Sequence, residues 1–328
     1  MPKGNGAFIV HAELSDILPD YELLSCSPYL ASIPGLPHPA LRQWLSRAAV
    51  VHLPPGIGHI PLLGRPLRIQ TFHSFDVDPA NMKEASFAQR VYYRHVLQPA
   101  ILAACSSADR IVAVSRFVAD NIRRHKLADS KIVEVIYNGV DTCRFHPLES
   151  QNQDRPLRIL FVGNPTRRKG FHLLAGLAEQ LPGTVELAFT SGLRNERVKS
   201  IHNRLISLGH VPYSEMHHLY QQADILLFPA YREGFGLCVA EAMACGLPVV
   251  SSNCSAIPEL IDNERGGFLV QAGDFSAILQ KIRQLLGDAP LRRAMGAWNR
   301  ERAVRDFDRT RMAMEYRSLF DSVSNHTR

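Results

Sequence analysis

The chain lacks the features that mark membrane-spanning, exported or disordered proteins. No uninterrupted apolar run approaches the ~18 residues that a membrane span needs. Residues 1–10 carry one lysine and no adequate apolar stretch, so we expect no secretory signal. The 328 residues are 46% apolar and 21% charged, which is ordinary for a globular protein. At ~150 residues per domain, this length predicts two domains.

Cysteine pairs at the C-x-x-C spacing of zinc and redox sites are also missing. The six cysteines stand at positions 26, 105, 143, 238, 245 and 254, and several lie in apolar segments. Buried free thiols are common in such segments. We therefore expect a reduced, cytoplasmic protein.

Charge is not concentrated in any tail or block. The net charge of +6 is divided between +2 in residues 1–150 and +4 in the remainder. A mild, distributed positive charge suits a phosphorylated ligand or an anionic membrane surface, although solubility is its commoner role. Because there is no nucleic-acid-binding motif, we expect no nucleic-acid partner.

Short apolar runs rich in Val and Ile alternate with helical stretches. Runs such as 159–162 and 224–229 lack polar alternation, which indicates strands buried on both faces. Strands that alternate with helices predict an α/β fold with parallel sheets. The predicted strands are Arg47–Leu53, Leu67–His73, Asp109–Ser115, Lys131–Tyr137, Arg158–Gly163, Val185–Thr190, Ile206–Val211, Ala223–Pro229 and Pro248–Ser251.

A polar segment with two prolines, Phe145–Pro156, lies between two strand-like runs and is the best domain boundary. It predicts one domain over residues 1–150 and another over 151–305. A C-terminal helical segment over 306–328 completes the chain.

The most informative window is 228–258, FPAYREGFGLCVAEAMACGLPVVSSNCSAIP. A strand ends at Pro229, a glycine-bearing turn follows, and a helix is predicted over Leu237–Cys245. Free N–H groups at a helix start, with the helix dipole, receive an anion. Glu233 and Glu241, with seven residues between them, flank this position. Two carboxylates make sense there if the ligand also offers hydroxyl groups, as a nucleotide-linked sugar does.

A second window, LFVGNPTRRKGF over 160–171, joins a strand, Gly163 and a basic turn. The turn places three cations, Arg167, Arg168 and Lys169, at the C-terminal end of a strand, where they could bind a phosphate. A solvated basic turn is the alternative. The P-loop pattern and the G-x-G-x-x-G pattern are both absent, which lowers the odds of a dinucleotide dehydrogenase.

These windows together resemble a known family. EGFGLCVAEAMACGLPVV, Ile257-Pro258-Glu259 and Gly266–Val270 look like the donor-binding half of family 4 retaining glycosyltransferases, and the Glu233/Glu241 pair matches their EX7E motif. Tyr137–Asp141 and Ala113–Ser115 extend the resemblance, which covers roughly residues 67 to 320. It implies the GT-B fold, with two Rossmann-like domains whose parallel sheets face a central cleft.

The resemblance implies a role for each matching position around the donor sugar. Glu233 would hold hydroxyls of the donor sugar near the reacting carbon, and Glu241 would bind the ribose hydroxyls. Backbone amides would meet the sugar and the phosphates at Gly234, Phe235, Gly236 and Leu237.

The basic turn and two loops would complete the donor site. Lys169, with Arg168, would neutralise the pyrophosphate next to Gly163, and the base would lie near Gly209, His210 and Val211. Many family members carry arginine where this chain has Asn164, so the choice between Arg167 and Arg168 as the phosphate contact stays open.

In the first half, His73 follows a strand and resembles the family histidine that faces donor and acceptor; a hydrogen-bonded loop histidine is the alternative. His52 and His59 lack a motif and are interpreted as structural. The residues Lys3–Gly6 look like the family's glycine-rich loop without the strand before it, so that strand is either absent or trimmed. This weakens Gly4 and Gly6 as expected ligand contacts.

Two Asp-x-Asp triplets, Asp76–Asp78 and Asp306–Asp308, resemble the metal-binding pair of another transferase class. Neither follows a strand of the second half, so we expect no metal. The basic stretch Arg116–Lys131 is a candidate membrane-surface helix with Phe117, Val118, Ile122 and Leu127 as its apolar face. A helix packed on the core is the commoner alternative.

The resemblance thus implies a metal-independent retaining hexosyltransferase without a cofactor, in bacterial glycan or glycolipid synthesis. A UDP- or GDP-sugar would be the co-substrate, and the acceptor would be the hydroxyl of a glycan, a lipid-linked sugar or a small molecule. We expect a cytoplasmic protein, with peripheral contact at the inner membrane face as one option. The alternatives are a catalytically silent nucleotide-sugar-binding partner and a GT-B sugar phosphorylase. The C-terminal helix would cross back to the first domain.

Overall fold

The computed structural model describes most of the chain. The described residues are 6–24, 48–55, 66–75, 87–128, 131–148, 155–191 and 202–325. Two compact units divide the chain, Met1–Gly139 with Thr310–Arg328, and Val140–Arg309. The terminal helical segment therefore groups with the first unit. Residues 149–154 of the polar segment Phe145–Pro156 lie outside the described part.

The first unit contains a parallel sheet with the strand order β1-β2-β3-β4. These strands are β1 Val50–Leu53, β2 Leu67–Phe72, β3 Arg110–Ala113 and β4 Val133–Val135. Its described helices are α1 Gly6–Ile17, α2 Phe87–Tyr92, α3 Gln98–Ser107, α4 Arg116–Arg124 and, after the second unit, α11 Arg309–Asn325. A π-helical turn over Tyr93–Leu97 joins α2 to α3.

The core of the first unit lies where α1 and α11 pack on the sheet. Apolar residues three and four positions apart on each helix form the stripe that a core-facing helix needs. The side chains of this core are Val10, Leu14, Leu18, Ile69, Val112, Ile136, Met312, Ala313, Tyr316, Leu319 and Val323.

The second unit contains a larger parallel sheet with helices along it. Its strands are β5 Leu157–Phe161, β6 Val185–Phe189, β7 Leu205–Ser207, β8 Ile225–Phe228, β9 Val249–Ser252 and β10 Gly267–Val270. Its described helices are α5 Leu174–Gln180, α6 Met216–Gln221, α7 Leu237–Ala244, α8 Ile257–Leu260, α9 Phe275–Gly287 and α10 Ala289–Asp306. Single 3₁₀ turns occur at Arg167–Lys169, Phe171–Leu173 and Tyr213–Glu215.

The strand order β10-β9-β8-β5-β6-β7 makes the second sheet doubly wound. The chain runs outward from β5 through β6 to β7, then crosses back to β8 and continues to the other edge. The order therefore reverses between β5 and β8. In open α/β sheets, ligands bind at the carboxyl ends of the strands where the order reverses. We therefore expect a ligand-binding site at the loops after β5 and β8.

The predicted α/β class with two parallel sheets is confirmed, and each of the nine predicted strands is present, most of them shorter than predicted. The largest difference is at β7, predicted over Ile206–Val211 and found over Leu205–Ser207. Gly209 has a φ of +67°, which no strand can accommodate, so His210 and Val211 lie in a loop.

The strand β10 was not predicted because it opens on a glycine pair, which is typical of a turn. Gly267 pairs with Val249 of β9, and a Cβ atom at Gly267 would lie 2.0 Å from the Val249 carbonyl oxygen. Gly267, which made the segment look like a turn in the sequence, is therefore the residue that allows the backbone of β10 to approach β9.

The helix α4 packs on the core through most of its predicted apolar face, as the alternative interpretation of this segment expects. Val118 and Ile122 of its predicted apolar face are fully buried, and Leu127 is 6% exposed. The helix also ends at Arg124, seven residues before the predicted end, and Lys126 follows with a φ of +52°. These side chains are not available to a lipid surface.

The N-terminal loop Lys3–Gly6 lies outside the described residues except for Gly6, which begins α1. Within the described ranges, we find no helix that combines the length and the apolar character required to cross a bilayer.

Candidate donor site of the second unit

The loop after β5 brings a basic turn to the end of β8. The turn Arg167–Lys169 is followed by Gly170, whose φ is +77°. A Cβ atom at Gly170 would lie 2.1 Å from the carbonyl oxygen of Pro229, so only glycine permits this approach. The Tyr231 N–H donates to the Arg168 carbonyl over 2.9 Å, which fixes the two loops to each other.

Lys169 and Glu233 form an ion pair at this junction. Their side chains are 14% and 18% exposed, and the Lys169 ammonium also lies 4.8 Å from the ring centroid of Phe228. Burial raises the pKa of Glu233, but the charges of Lys169 and Arg168 and hydrogen bonds from Lys169 and the Gly234 N–H outweigh it. The net effect holds the pKa of Glu233 below its usual range, so this carboxylate is ionised at neutral pH.

Of the two arginines in the turn, Arg168 is the one whose position is fixed. Its guanidinium donates to the Arg232 carbonyl over 3.1 Å, and its charge acts on Glu233. Arg167 and Arg168 are both exposed. The geometry favours Arg168 as the partner of Lys169 without assigning the phosphate contact.

The helix α7 begins in the loop after β8 and directs backbone groups into the site. Gly236 has a φ of +100°, and the N–H groups of Val239 and Ala240 donate to its carbonyl. No side chain among the described residues caps this helix start. The Phe235 side chain is 2% exposed and packs edge-on against Phe307, so it belongs to the core. What Gly234, Phe235 and Leu237 can offer a ligand here is backbone.

Glu241 lies within α7 and is only 4% exposed. It accepts a hydrogen bond of 2.6 Å from the hydroxyl of Tyr220 on α6. Burial, followed by the charge of Glu241, raises the pKa of Tyr220 well above its usual value, so this hydroxyl stays a donor. Tyr220 could not be identified from the sequence, because one tyrosine on a short helix is typical of core packing.

Cys238 lies on α7, between Glu233 and Glu241 in the sequence. Burial raises the pKa of its thiol to about 12, while Lys169 lowers it and both Glu233 and Glu241 raise it. The Cys238 thiol therefore lies close enough to Lys169, Glu233 and Glu241 to be affected by all three charges. The thiol itself stays protonated.

The loops after β6 and β7 continue the same edge of the sheet. The Ser191 N–H donates to the Gly209 carbonyl over 2.8 Å, and the Gly163 N–H donates to Thr190 Oγ1 over 3.2 Å. His210 is exposed and Val211 is half-buried. Within the described part of the chain, the buried hydroxyl of Ser191 has no hydrogen-bond partner, a feature that sequence reasoning missed.

His73 lies in the first unit, directly after β2. Its Nε2 is 3.2 Å from Nε2 of His11, and its buried Nδ1 has no hydrogen-bond partner among the residues that the structure describes. Burial lowers the pKa of His73 to about 4, so the ring is neutral at pH 7. His11 could not be identified from the sequence, because it lies 62 positions away from His73.

The carboxylates of Asp306–Asp308 have structural partners. Asp306 pairs with Arg305 over 2.8 Å, and Asp308 accepts a 2.5 Å hydrogen bond from Thr142. The other triplet, Asp76–Asp78, lies outside the described residues, as does His59. Within the described part of the chain, no group of three His, Cys, Asp or Glu side chains is arranged to hold a metal ion.

Comparisons with known proteins cover both units. The family model described as "Glycosyltransferase Family 4" matches residues 17–144, and the model described as "Glycosyl transferases group 1" matches residues 156–288. The alpha-maltose-1-phosphate synthase of Mycolicibacterium smegmatis is 27% identical over 67% of this chain and 65% of its own length. The capsular polysaccharide biosynthesis glycosyltransferase CapM of Staphylococcus aureus is 25% identical over 79% of this chain and 71% of its own.

A solved structure shares the fold of this chain over nearly its full length. Anabaena Alr3699/HepE, crystallised with UDP-glucose, superposes with a TM-score of 0.77 at 17% identity, over 98% of this chain and 97% of that one. The chain spans just under two thirds of the Mycolicibacterium synthase.

The two parallel sheets, with the site residues at the order reversal of the second, define a protein of the GT-B class. Within that class, the chain belongs to the family 4 glycosyltransferases.

Proposed function

We propose that this protein transfers a hexose-type sugar from a nucleoside-diphosphate sugar to a hydroxyl acceptor, with retention of the anomeric configuration. The observation that carries the proposal is the Lys169–Glu233 pair at the order reversal of the sheet, beside the start of α7. A cation, the backbone N–H groups of a helix start and a carboxylate ionised at neutral pH suit a ligand with both phosphates and hydroxyls.

Glycosyl transfer develops positive charge on the sugar ring and negative charge on the departing diphosphate. We assign Lys169, Arg168 and the α7 backbone to the diphosphate, where fixed donors lower the barrier as charge develops. Glu233 holds the sugar hydroxyls, and its negative charge stabilises the ring cation.

The bond from the anomeric carbon to the phosphate oxygen breaks while the acceptor oxygen bonds to the same face of that carbon. The acceptor proton passes to the leaving phosphate oxygen, so no separate base is required. We assign to His73 a contact with the donor sugar or the acceptor, and to the Tyr220–Glu241 pair the ribose hydroxyls. Gly163, His210 and Val211 would border the phosphates and the base.

UDP is the first nucleotide to test, since the structural neighbour from Anabaena was crystallised with UDP-glucose. A bacterial capsule enzyme among the relatives favours a glycan or lipid-linked acceptor. UDP-, GDP- and ADP-sugars should be compared by thermal shift, where ligand at ~100 times Kd stabilises a fold by about 2.7 kcal/mol. We expect one nucleotide to stabilise the protein more than the others.

Product analysis with the selected donor then tests the reaction. Transfer or hydrolysis that releases the nucleoside diphosphate supports the proposal, and the anomeric signal of the product reports retention. Binding without turnover on any hydroxyl acceptor would identify a silent partner protein instead. Turnover that requires inorganic phosphate or a sugar phosphate would identify a phosphorylase or a related synthase.

A further inference from the structure

Six side chains of the first unit form one continuous hydrogen-bonded chain behind His73. They come from α1, the segment after it, β1, β2 with the residue that follows it, and α11. In order, the chain is His73, His11, Tyr21, His52, Thr71 and Tyr316.

Four further links continue the chain from His11 to Tyr316. The Tyr21 hydroxyl contacts Nδ1 of His11 and lies 2.9 Å from Nδ1 of His52. Nε2 of His52 lies 2.6 Å from Thr71 Oγ1, which in turn lies 3.2 Å from the Tyr316 hydroxyl. Each imidazole in the interior of the chain therefore uses both of its nitrogens.

All the titratable members of the chain are uncharged at neutral pH. Burial lowers the pKa of His52 to about 3, and burial lowers that of His11 as well, with His52 and His73 adding to the effect. Burial also raises the pKa of Tyr21. A neutral imidazole has one N–H and one bare nitrogen, so the tautomers along the chain depend on one another.

The Tyr21 hydroxyl is the branch point, because it can donate only once and contacts two imidazole nitrogens. If it donates to His11 Nδ1, then His11 must donate from Nε2 to His73. His73 would then accept at Nε2 and carry its proton on Nδ1. If it donates to His52 instead, every tautomer is reversed and His73 carries its proton on Nε2.

The buried far end of the chain decides between these directions. Tyr316 is 1% exposed, and Thr71 Oγ1 is the hydrogen-bond partner that the described residues provide for its hydroxyl. When Tyr316 donates to Thr71 and Thr71 donates to His52, each O–H and N–H group of the chain from Tyr316 to His11 has an acceptor within the chain. The reverse direction leaves the Tyr316 O–H without an acceptor in the core, which costs its full desolvation penalty.

The lengths of two links agree with this direction. O–H donors form shorter hydrogen bonds than N–H donors do. The Thr71–His52 link of 2.6 Å suits an O–H donor, and the His52–Tyr21 link of 2.9 Å suits an N–H donor.

We propose that this chain holds His73 in the tautomer protonated at Nδ1, which makes its buried, unpartnered Nδ1–H a hydrogen-bond donor for an oxygen atom of the ligand. His11 is then a positioning residue, since it acts on the ligand through His73. The identity of the ligand rests on the proposed function, whereas the tautomer does not.

The tautomer can be measured in the full chain by NMR with ¹⁵N-labelled histidine. The two ring nitrogens of a neutral imidazole give distinct signals, and loss of a signal in His73→Gln assigns that residue. We expect His73 with its proton on Nδ1. A proton on Nε2 in the unmodified protein would overturn the proposal without any further variant.

Tyr21→Phe tests whether the chain sets the tautomer. It retains the ring but removes the branching hydroxyl, so His11 loses the donor that fixes its own tautomer. We expect the fraction of His73 protonated on Nδ1 to fall in this variant. Phe320→Leu is the matched control, because Phe320 stacks on Tyr21 and is not a member of the chain. An unchanged His73 tautomer in Tyr21→Phe, or the same change in both variants, would contradict the proposal.

Kinetics separate this inference from the proposed function. With an active donor and acceptor, we expect Tyr21→Phe to lower kcat about tenfold, the value of one hydrogen bond, and to leave nucleoside-diphosphate affinity unchanged. Lowered nucleotide affinity with unchanged kcat would contradict a positioning role. Failure of every donor would contradict the proposed function, and the tautomer measurement would still decide the inference.

Discussion

Glu233 is ionised although it is largely buried, because Lys169 and Arg168 stand beside it. The lysine thus has two functions in the proposed site. It compensates the charge of the carboxylate that holds the sugar, and it offers the same ammonium to the diphosphate. The two functions can be separated, because each residue can be replaced while the other is retained.

Replacement of the lysine tests the phosphate contact. We expect Lys169→Ala to weaken nucleoside-diphosphate binding by one to two orders of magnitude, since a charge-assisted hydrogen bond contributes about 1.5–3 kcal/mol. Isothermal titration calorimetry measures this affinity. Lys281→Ala is the control, because Lys281 lies on α9 against Phe268 and Gln284. If Lys169→Ala binds as tightly as the control, Lys169 has no phosphate role.

Replacement of the acid tests the sugar contact. Glu233→Gln retains the size of the side chain and removes its charge. We expect kcat to fall at least 100-fold, because a fixed charge near the reacting carbon acts mainly on the transition state. Nucleoside-diphosphate affinity should change less than tenfold, and Glu301→Gln, at an exposed position of α10, should match the unmodified protein. A loss of affinity with unchanged kcat would contradict the assignment.

At the scale of elements, the site depends on the close approach of two loops. The basic turn after β5 contacts the loop after β8 at Gly170, where a side chain would meet Pro229. The Arg168 and Tyr231 backbones are hydrogen-bonded at the same point. The position of Lys169 beside Glu233 therefore follows from the backbone path of Gly170.

This predicts the effect of one methyl group. Gly170→Ala forces the basic turn away from Pro229 and places alanine at a left-handed φ, which alone costs about 1–3 kcal/mol. We expect a lower melting temperature and nucleotide affinity at least tenfold weaker. Gly183→Ala is the control, because a Cβ atom there meets nothing within 4 Å. Equal affinities in the two variants would show that the turn does not hold the phosphates.

The same elements show what could be predicted from the sequence. The strand β8 and residues 159–161 of β5 are continuous apolar runs, so the existence of these strands and of the loops after them follows from local pattern. The spacing of Glu233 and Glu241 is visible in the sequence itself. Tyr220, Ser191 and His11 could not be found in this way. Each contacts its partner only after the sheet has placed segments 18 to 62 residues apart side by side.

At the scale of the whole molecule, the proposed function takes the countercharge for a diphosphate from the protein itself. Lys169, Arg168 and the start of α7 supply positive charge at one point of the second unit. We therefore expect transfer activity to persist in EDTA at a rate within twofold of the untreated enzyme. Activity that is abolished by EDTA and restored by a divalent ion would show that a metal takes part.

The stability of the whole chain should depend on pH through the histidines of the first unit. Burial lowers the pKa of His52 to about 3 and that of His73 to about 4, and it also lowers that of His11. Their pKa in the unfolded chain is about 6.5. Below that pH, the unfolded state binds protons that the folded state does not.

The free energy of unfolding should therefore be constant above about pH 7 and fall as the pH decreases below 6.5. Near pH 5, His52 and His73 together should give a slope of about 2.5 kcal/mol per pH unit, at about 1.4 kcal/mol for each proton, and His11 should increase this slope. Urea denaturation followed by circular dichroism at several pH values measures it. His73→Gln should reduce the slope by about 1.2 kcal/mol per pH unit. An equal slope in His73→Gln and in the unmodified protein would contradict this prediction, because it would mean that His73 binds the same number of protons in the folded and unfolded states.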